Sequence, residues 1–272
     1  MLNAFENVKL ITTRSTGFDH IDLEECKKRG VAVSNVPGYG DSTVAEFTFG
    51  LMLALTRKIY DCVRVTKTGS DFSELDLRGR DLRGKILGVL GTGRIGREVI
   101  KIAKGFGMEV VAFDIKPDKE FAKEVGFKYL DFDNVLRKSD IVSLHCFYCE
   151  DTHHVMNAEK FGLMKKGAYL INAARGGLVD TDALTEFLKS GHLGGCALDV
   201  MEEIEDENDS LGGARGEEFE SMRKHKELVG MPNVLVTPHN AFNSEEAVRR
   251  ILDINLDSIE GFLKGKGVNL VG

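Results

Sequence analysis

No signal peptide is expected at the start of this 272-residue chain, and long apolar runs are missing throughout. The opening Met1-Leu2-Asn3-Ala4-Phe5-Glu6 has no basic stretch and no long apolar core. No apolar run approaches the ~20 residues needed to span a bilayer. Positive charge is scarce as well. Lys and Arg number 36 against 43 Asp and Glu, so the formal charge is −7 and no global basic field recruits nucleic acid or an anionic membrane surface. The five cysteines are an odd count without framework spacing, which excludes a disulfide-built scaffold and fits reduced thiols in a cytoplasmic protein. No repeat period is visible, and residues 202–220, acidic and glycine-bearing, read as a solvated excursion. What remains is soluble composition, 42% hydrophobic and 29% charged, at a length that favours two domains over one. The 30 glycines exceed the usual ~7% share, and many stand at strand–helix junctions.

The most informative stretch is Gly91-Thr92-Gly93-Arg94-Ile95-Gly96. Before it, Lys85-Ile86-Leu87-Gly88-Val89-Leu90 reads as a buried parallel strand. After it, Ile95, Val99, Ile100 and Ala103 recur at helical spacing, and Glu109-Val110-Val111-Ala112-Phe113 then ends on Asp114. Strand, glycine turn, helix, strand and acid in about 30 residues make up a mononucleotide-binding unit. The first glycine makes the tight turn, the second admits a pyrophosphate, and the third lets helix pack on strand. The pyrophosphate would rest on the orphan N–H groups and positive dipole of the helix start. Asp114 stands where a carboxylate accepts the ribose hydroxyls. A 2′-phosphate would meet like charge there, so NAD is expected over NADP.

Further along, strand-like runs at 141–146, 168–173, 194–200 and 234–237 alternate with helical segments at 132–138, 158–166 and 182–190. Such alternation predicts an α/β fold with a doubly wound parallel sheet covered on both faces. Near the start, 8–13 and 31–36 read as strands around a short helix at 23–29. Thr43-Val44-Ala45-Glu46 fits a capping box opening a helix that runs to about residue 58. That helix is apolar nearly all round and must be buried nearly all round. A subunit interface explains this economically, so a homodimer is expected. A last helix at 245–264 carries Val248, Ile251, Leu252, Ile259 and Phe262 as its apolar stripe.

Ligands of open α/β sheets bind beyond the carboxyl ends of the strands. Asn172-Ala173-Ala174-Arg175-Gly176-Gly177 follows one strand, Asp199 closes another, and Thr237-Pro238-His239-Asn240 follows a third. Arg175 offers a planar fork for a carboxylate, and His239 can pass a proton near neutral pH. Cys146-Phe147-Tyr148-Cys149, with His153 and His154 beyond, has C-x-x-C spacing. It lacks a second pair and sits at a strand end, so loop residues at the mouth of a site are expected and no metal.

These motifs, with Ser15-Thr16-Gly17-Phe18-Asp19-His20-Ile21-Asp22, Ser143-Leu144-His145-Cys146, Ala197-Leu198-Asp199-Val200 and Thr237-Pro238-His239-Asn240-Ala241-Phe242, carry a resemblance. The chain resembles the D-isomer-specific 2-hydroxyacid dehydrogenases, in their D-lactate dehydrogenase-like branch, from about Val8 onward. The resemblance implies a Rossmann NAD-binding domain at 43–240 beside a shortened flavodoxin-like substrate domain at 1–42 and 241–272. It implies an oxidoreductase moving a hydride between NAD and a small 2-oxo or 2-hydroxy acid. Arg175 would bind the substrate carboxylate and polarise its carbonyl, and His239 would be the acid and base. Arg94, Ile95, Asp114, Cys146, Phe147, Thr152, Ala173, Ala174 and Asp199 would contact NAD along with Gly91, Gly93 and Gly96. The backbone around Thr16 and Gly17 would cradle the substrate carboxylate.

Two departures from the family pattern matter. The family glutamate that pairs with the histidine lies five residues after the aspartate, where this chain has Ile204; Glu203 and Glu205 flank it, and Glu205 is taken as the candidate. Family members also begin well before Met1. Only two strands are expected ahead of Pro37, and such a remnant is marginal by itself. The chain as written is therefore expected to bind NADH, to reduce 2-oxo acids poorly and to aggregate more readily than an N-terminally extended form. A non-catalytic NAD-binding or NAD-sensing protein and an inactive shortened homologue are the alternatives.

Overall fold

The structure, a computed structural model, describes residues 7–73, 77–202 and 225–271. The chain divides into two units, Met1–Thr43 with Phe242–Gly272, and Val44–Ala241.

In the smaller unit β1 (Leu10–Thr12) and β2 (Ala32–Ser34) run parallel, with α1 (Leu23–Lys28) between them in sequence. α1 is short, yet its ends suit it. The Asp22 side chain accepts the Glu25 N–H, Glu24 and Glu25 occupy the first turn, and Lys27 and Lys28 the last. The expected two-stranded remnant is in fact a three-stranded sheet, because β10 (Leu270–Val271) returns antiparallel to β2. A two-residue strand has too little length for period-two alternation to reveal it. Cys26, Val31 and Val33 form the unit's small core, with Val8, Ile11, Ile21, Leu23 and Val271 packed around them.

The last helix, labelled α10 (Glu245–Leu263), starts where Ser244 accepts the Ala247 N–H at 3.1 Å. Arg250 ties it down, its Nε donating to the Tyr39 carbonyl at 2.6 Å and its guanidinium to the Thr43 hydroxyl at 3.1 Å. The expected stripe holds in part, with Ile251 buried and Val248 and Phe262 half-buried. Ala247, Ile251, Ser258 and Gly261 are buried, whereas Leu252 and Ile259 point outward, 54% and 37% exposed. Small residues win the inner face because the chain comes very close there. A Cβ on Gly261 would lie 2.4 Å from Val268.

The larger unit is built on a sheet whose central strands are apolar and buried on both faces. β3 (Ile86–Leu90), β4 (Glu109–Phe113), β5 (Lys128–Tyr129), β6 (Ile141–Leu144), β7 (Ala168–Asn172), β8 (Leu193–Leu198) and β9 (Val234–Val236) form one parallel sheet, in the order β5-β4-β3-β6-β7-β8-β9. The order reverses direction between β3 and β6, which opens a crevice at their carboxyl ends. Alternate residues of β7 serve opposite faces. Leu170 packs with Leu136, Met156, Phe161 and Leu184, and Ile171 with Met52, Leu87, Ile100 and Ala112.

Helices α4 (Arg94–Gly105), α5 (Lys119–Val125), α6 (Phe132–Lys138), α7 (Ala158–Leu163), α8 (Thr181–Lys189) and α9 (Lys226–Val229) connect these strands. Side chains of Asp118, Asp131, Asn157 and Asp180 cap α5 to α8, each accepting the N–H three residues on. Helix α5 and strand β5 are additions to the sequence reading, as is α3 (Ile59–Thr68). α2 (Asp41–Thr56) begins two residues earlier than the proposed capping box, which leaves Thr43 inside its first turn. Ala45, Phe49, Met52 and Leu55 of α2 sit in the larger unit's own core. The burial expected of that helix is therefore met largely within the chain, without a second subunit.

Candidate active site

Each candidate in the larger unit follows the carboxyl end of a strand. In sheet order these are Asp114 after β4, the glycine turn after β3, His145 and Cys146 after β6, Arg175 after β7, Asp199 after β8, and His239 after β9. At ~4.8 Å per strand the row is about 24 Å long, an extended surface rather than a point.

The glycine turn is tightly built. Gly91 has φ +94°, and a Cβ there would lie 2.5 Å from the His145 carbonyl oxygen. A Cβ on Gly96 would lie 2.1 Å from the Gly91 oxygen, so α4 packs directly on the turn. Gly93 faces open space, with no heavy atom within 4 Å of where its Cβ would be. It is also the N-cap of α4, offers no capping side chain, and no acid stands in the first helical turn. The N–H groups of that helix start lack a local anion, a cradle that fits a pyrophosphate. Arg94 is exposed beside it and Ile95 half-buried.

Asp114 is held by backbone as well as side-chain donors. Its Oδ2 accepts the Thr92 N–H at 2.6 Å and the Thr92 hydroxyl at 2.9 Å, and its Oδ1 accepts the Lys116 N–H at 2.8 Å. Burial pushes its pKa up. The hydrogen bonds from Lys116 and Thr92, with the charge of Arg97, outweigh that and hold it below the ordinary carboxylate range. The carboxylate is thus ionised at neutral pH, as a ribose acceptor must be.

After β6, the His145 ring turns inward and its Nε2 meets the Ser143 hydroxyl at 2.8 Å. Burial lowers its pKa to about 4, so the imidazole is neutral near pH 7. Burial also raises the Cys146 thiol to about 11, and the neighbouring Asp114 and Cys149 push the same way. A thiol protonated at neutral pH is a poor nucleophile. Phe147 is 60% exposed. Thr152 closes the loop, its hydroxyl accepting the Cys149 N–H at 2.8 Å and donating to the Phe147 carbonyl at 2.9 Å.

Ligand atoms of His153, His154 and Glu202 lie within 4.8 Å of one another, the one such cluster among the described residues. The two rings stack, with centroids 3.9 Å apart and 21° between planes. His154 bonds Glu202, and its N–H donates to the Gly177 carbonyl at 2.8 Å, fastening the segment after Asp199 to the loop after Arg175.

Arg175 lies between β7 and a short 3-10 helix, Gly176–Leu178. Asn172 shapes its loop: the side-chain amide donates to the Arg175 carbonyl at 2.8 Å and the side-chain oxygen accepts the Ala174 N–H at 3.0 Å. Ala173, Ala174 and Arg175 are all half-buried. Asp199 is fully buried and accepts three donors, the Thr237 hydroxyl (2.5 Å), the Asn240 N–H (2.9 Å) and the Ala241 N–H (2.7 Å). Burial raises its pKa, opposed by those donors and by His239. His239 has φ +47°, the left-handed region that a histidine rarely occupies. Its N–H donates to the Asp199 carbonyl at 2.8 Å and the Thr237 carbonyl at 3.0 Å. Backbone outliers of this kind persist only where surrounding bonds over-determine them.

Thr16 and Gly17 belong to the smaller unit. The Thr16 hydroxyl donates to the Val36 carbonyl at 2.9 Å, the Asn35 amide to the Thr16 carbonyl at 2.7 Å, and the Ser15 hydroxyl to the Gly17 carbonyl at 2.6 Å. Glu205, like Glu203 and Ile204, lies outside the described residues. Sequence reasoning missed the supporting donors Thr92 and Thr237 and the His154–Glu202 pair. Thr92 occupies the variable position of its turn, and the other contacts join residues 38 and 48 positions apart.

Residues 49–241 match the family model for the NAD-binding domain of D-isomer specific 2-hydroxyacid dehydrogenases. A 2-hydroxyacid dehydrogenase homolog of Schizosaccharomyces pombe is 43% identical over 261 residues, 95% of this chain and 77% of that protein. A glyoxylate reductase of Thermofilum pendens is 37% identical over 270 residues, 98% of this chain and 75% of that one. Among solved structures, the D-lactate dehydrogenase of Aquifex aeolicus complexed with NAD and lactic acid superposes with a TM-score of 0.85 at 37% identity, covering 97% of this chain and 79% of that one.

The depressed pKa of His145 sets an acid limit. Above about pH 6.5 its imidazole is neutral whether the chain is folded or not. Between there and about pH 4 only the unfolded chain takes up the proton, so stability falls as pH falls through that window. Urea unfolding at about pH 7 and pH 4 should show the parent losing about 2 kcal/mol more than His145→Asn. Equal losses in the two proteins would contradict this account of the ring.

Proposed function

We propose, for a chain that belongs to the D-isomer-specific 2-hydroxyacid dehydrogenases and is an NAD-dependent enzyme of that class, that Arg175 and His239 carry the chemistry on a small 2-oxo acid. The observation supporting this most directly is the shared edge: a guanidinium after β7 and an imidazole after β9 flank the buried Asp199 after β8. NADH, when bound, supplies the hydride that reaches C2 of the substrate. Arg175 grips the substrate carboxylate with its planar fork and draws electron density from the neighbouring carbonyl. His239 delivers the proton to the carbonyl oxygen in reduction and removes it in oxidation.

The glycine turn and the start of α4, with Arg94 and Ile95, would hold the pyrophosphate, and Asp114 the adenosine ribose. Cys146, Phe147, Thr152, Ala173 and Ala174 would line the cofactor. A carboxylate has about four acceptor positions. Three on Asp199 are taken and the residue is fully buried, so it would serve the cofactor site by holding the segment at 237–241 in place. The amides at Thr16 and Gly17 remain candidates for the substrate carboxylate. The relatives act, by name, on glyoxylate and lactate, so glyoxylate and pyruvate are the first substrates to assay.

The sequence favours one competing reading, since Ile204 stands where the resemblance places a glutamate. Tight NADH binding with no turnover of any 2-oxo acid would support a sensing role instead. All five cysteines are free thiols, which supports a cytoplasmic setting. A homodimer draws its support from α3, whose Ile59, Tyr60 and Val63 are 48%, 59% and 45% exposed.

Arg175→Ala should lower kcat/KM for the 2-oxo acid by about 10²–10⁴-fold while NADH affinity stays within about twofold. Near-parental kcat/KM in that variant would overturn the assignment. Sedimentation velocity at micromolar concentration should give a single species of twice the chain's mass, and Tyr60→Lys should shift it toward the monomer. A parent that sediments as a monomer would remove the dimer.

A further inference from the structure

Asp114 is the end of a longer hydrogen-bonded chain whose direction chemistry alone decides. An ionised carboxylate only accepts, so the Thr92 hydroxyl commits its one proton to Asp114. The Tyr129 hydroxyl lies 2.8 Å from that same Thr92 oxygen and must therefore donate to it. The Tyr129 oxygen in turn accepts the Asp118 N–H at 3.3 Å. Arg97 closes the chain into a ring, donating from Nη2 to Asp118 Oδ2 at 2.7 Å and from Nε to the Thr92 carbonyl at 3.3 Å. Aromatic packing fixes both large members. The Arg97 guanidinium lies 4.6 Å from the Phe121 ring centroid, and Tyr129 packs edge-on to Phe127 at 5.1 Å.

We propose that Thr92 and Tyr129 are the positioning residues that hold Asp114 in one orientation and thereby set the preference for an unphosphorylated adenosine ribose over a 2′-phosphorylated one. This rests on the reading of Asp114 as the ribose acceptor. Three of the carboxylate's four or so acceptor positions are filled by Thr92 and Lys116, leaving one on Oδ1. A ribose hydroxyl can donate to that position, whereas a 2′-phosphate brings charge of the same sign and acceptor oxygens. An aspartate free to rotate would swing aside and let Lys116 and Arg97 receive the phosphate. The ring prevents this twice over. It pins the carboxylate through Thr92, and it engages the Arg97 guanidinium with Asp118. Loosening the ring should thus weaken NADH and strengthen NADPH together, which loss of packing alone would not do.

The test is a set of dissociation constants for NADH and NADPH, read from cofactor fluorescence on the full chain. Tyr129→Phe keeps the ring packing and removes both hydroxyl contacts; the NADH-over-NADPH preference should fall about tenfold. Thr92→Val should fall by a similar factor. Thr92→Ser, which restores the hydroxyl, should stay within about twofold of the parent. Combining Tyr129→Phe with Thr92→Val should add little to either alone, because both cut the same chain. Asp114→Asn separates the two levels of the idea. Should it leave the preference intact, the reading of Asp114 itself fails. Should it collapse the preference while Tyr129→Phe and Thr92→Val do not, the ribose reading stands and the positioning role of the ring is wrong.

Discussion

The buried carboxylate of Asp199 organises the chemical end of this molecule. Three donors from the segment after β9 converge on it, and two of them are the backbone N–H groups of Asn240 and Ala241. A carboxylate is needed because all three partners donate; an amide in its place would present N–H groups to at least one of them. The same residue's carbonyl accepts the His239 N–H. Main chain and side chain together turn the segment so sharply that His239 enters the left-handed region. The strain of that conformation, of order 1–3 kcal/mol, is offset by bonds buried from water.

Asp114 repeats the device at the other end of the row. Both aspartates follow a strand's carboxyl end, and both are loaded with donors before any ligand arrives. They differ in burial, and the difference suits their tasks. Asp199 is enclosed and serves to orient a neighbour. Asp114 is partly open, its pKa held down by its donors, and keeps an acceptor position outward. Between them in sheet order come the glycine turn after β3 and the Arg175 loop after β7, on either side of the point where the strand order reverses. Parallel strands buried on both faces supply a rigid frame for all of these, so preorganisation comes from the sheet and selectivity from the turns.

Much of this was legible in the sequence, for particular reasons. The mononucleotide-binding unit was visible because glycines with steric jobs cannot be replaced. A Cβ at Gly96 would strike the Gly91 oxygen, so the pattern records a contact. Helix α6 was read to the residue, since Asp131 caps it and Arg137 and Lys138 end it. The order in which Asp114, Arg175, Asp199 and His239 follow their strands came directly from alternation. Short or irregular elements were not legible: β5 and β10 have two residues each. The stripe of α10 was right at Ile251 and wrong at Leu252 and Ile259, because bulk was taken as the mark of an inner face that also holds alanine, serine and glycine. The contacts that fix the site join residues such as Thr92 and Tyr129, 37 positions apart, and no local pattern encodes them.

The central claim is that the histidine held by Asp199 passes the proton to the carbonyl oxygen of a 2-oxo acid that is reduced to its D isomer. Its most direct test is NADH-dependent reduction of pyruvate and glyoxylate by the full chain, with chiral chromatography of the lactate formed, run in parallel on His239→Gln. The account predicts D-lactate as the sole enantiomer and a loss of about 10²–10⁴-fold in the variant with NADH binding retained. L-lactate as product, or a His239→Gln enzyme turning over at the parental rate, would contradict it.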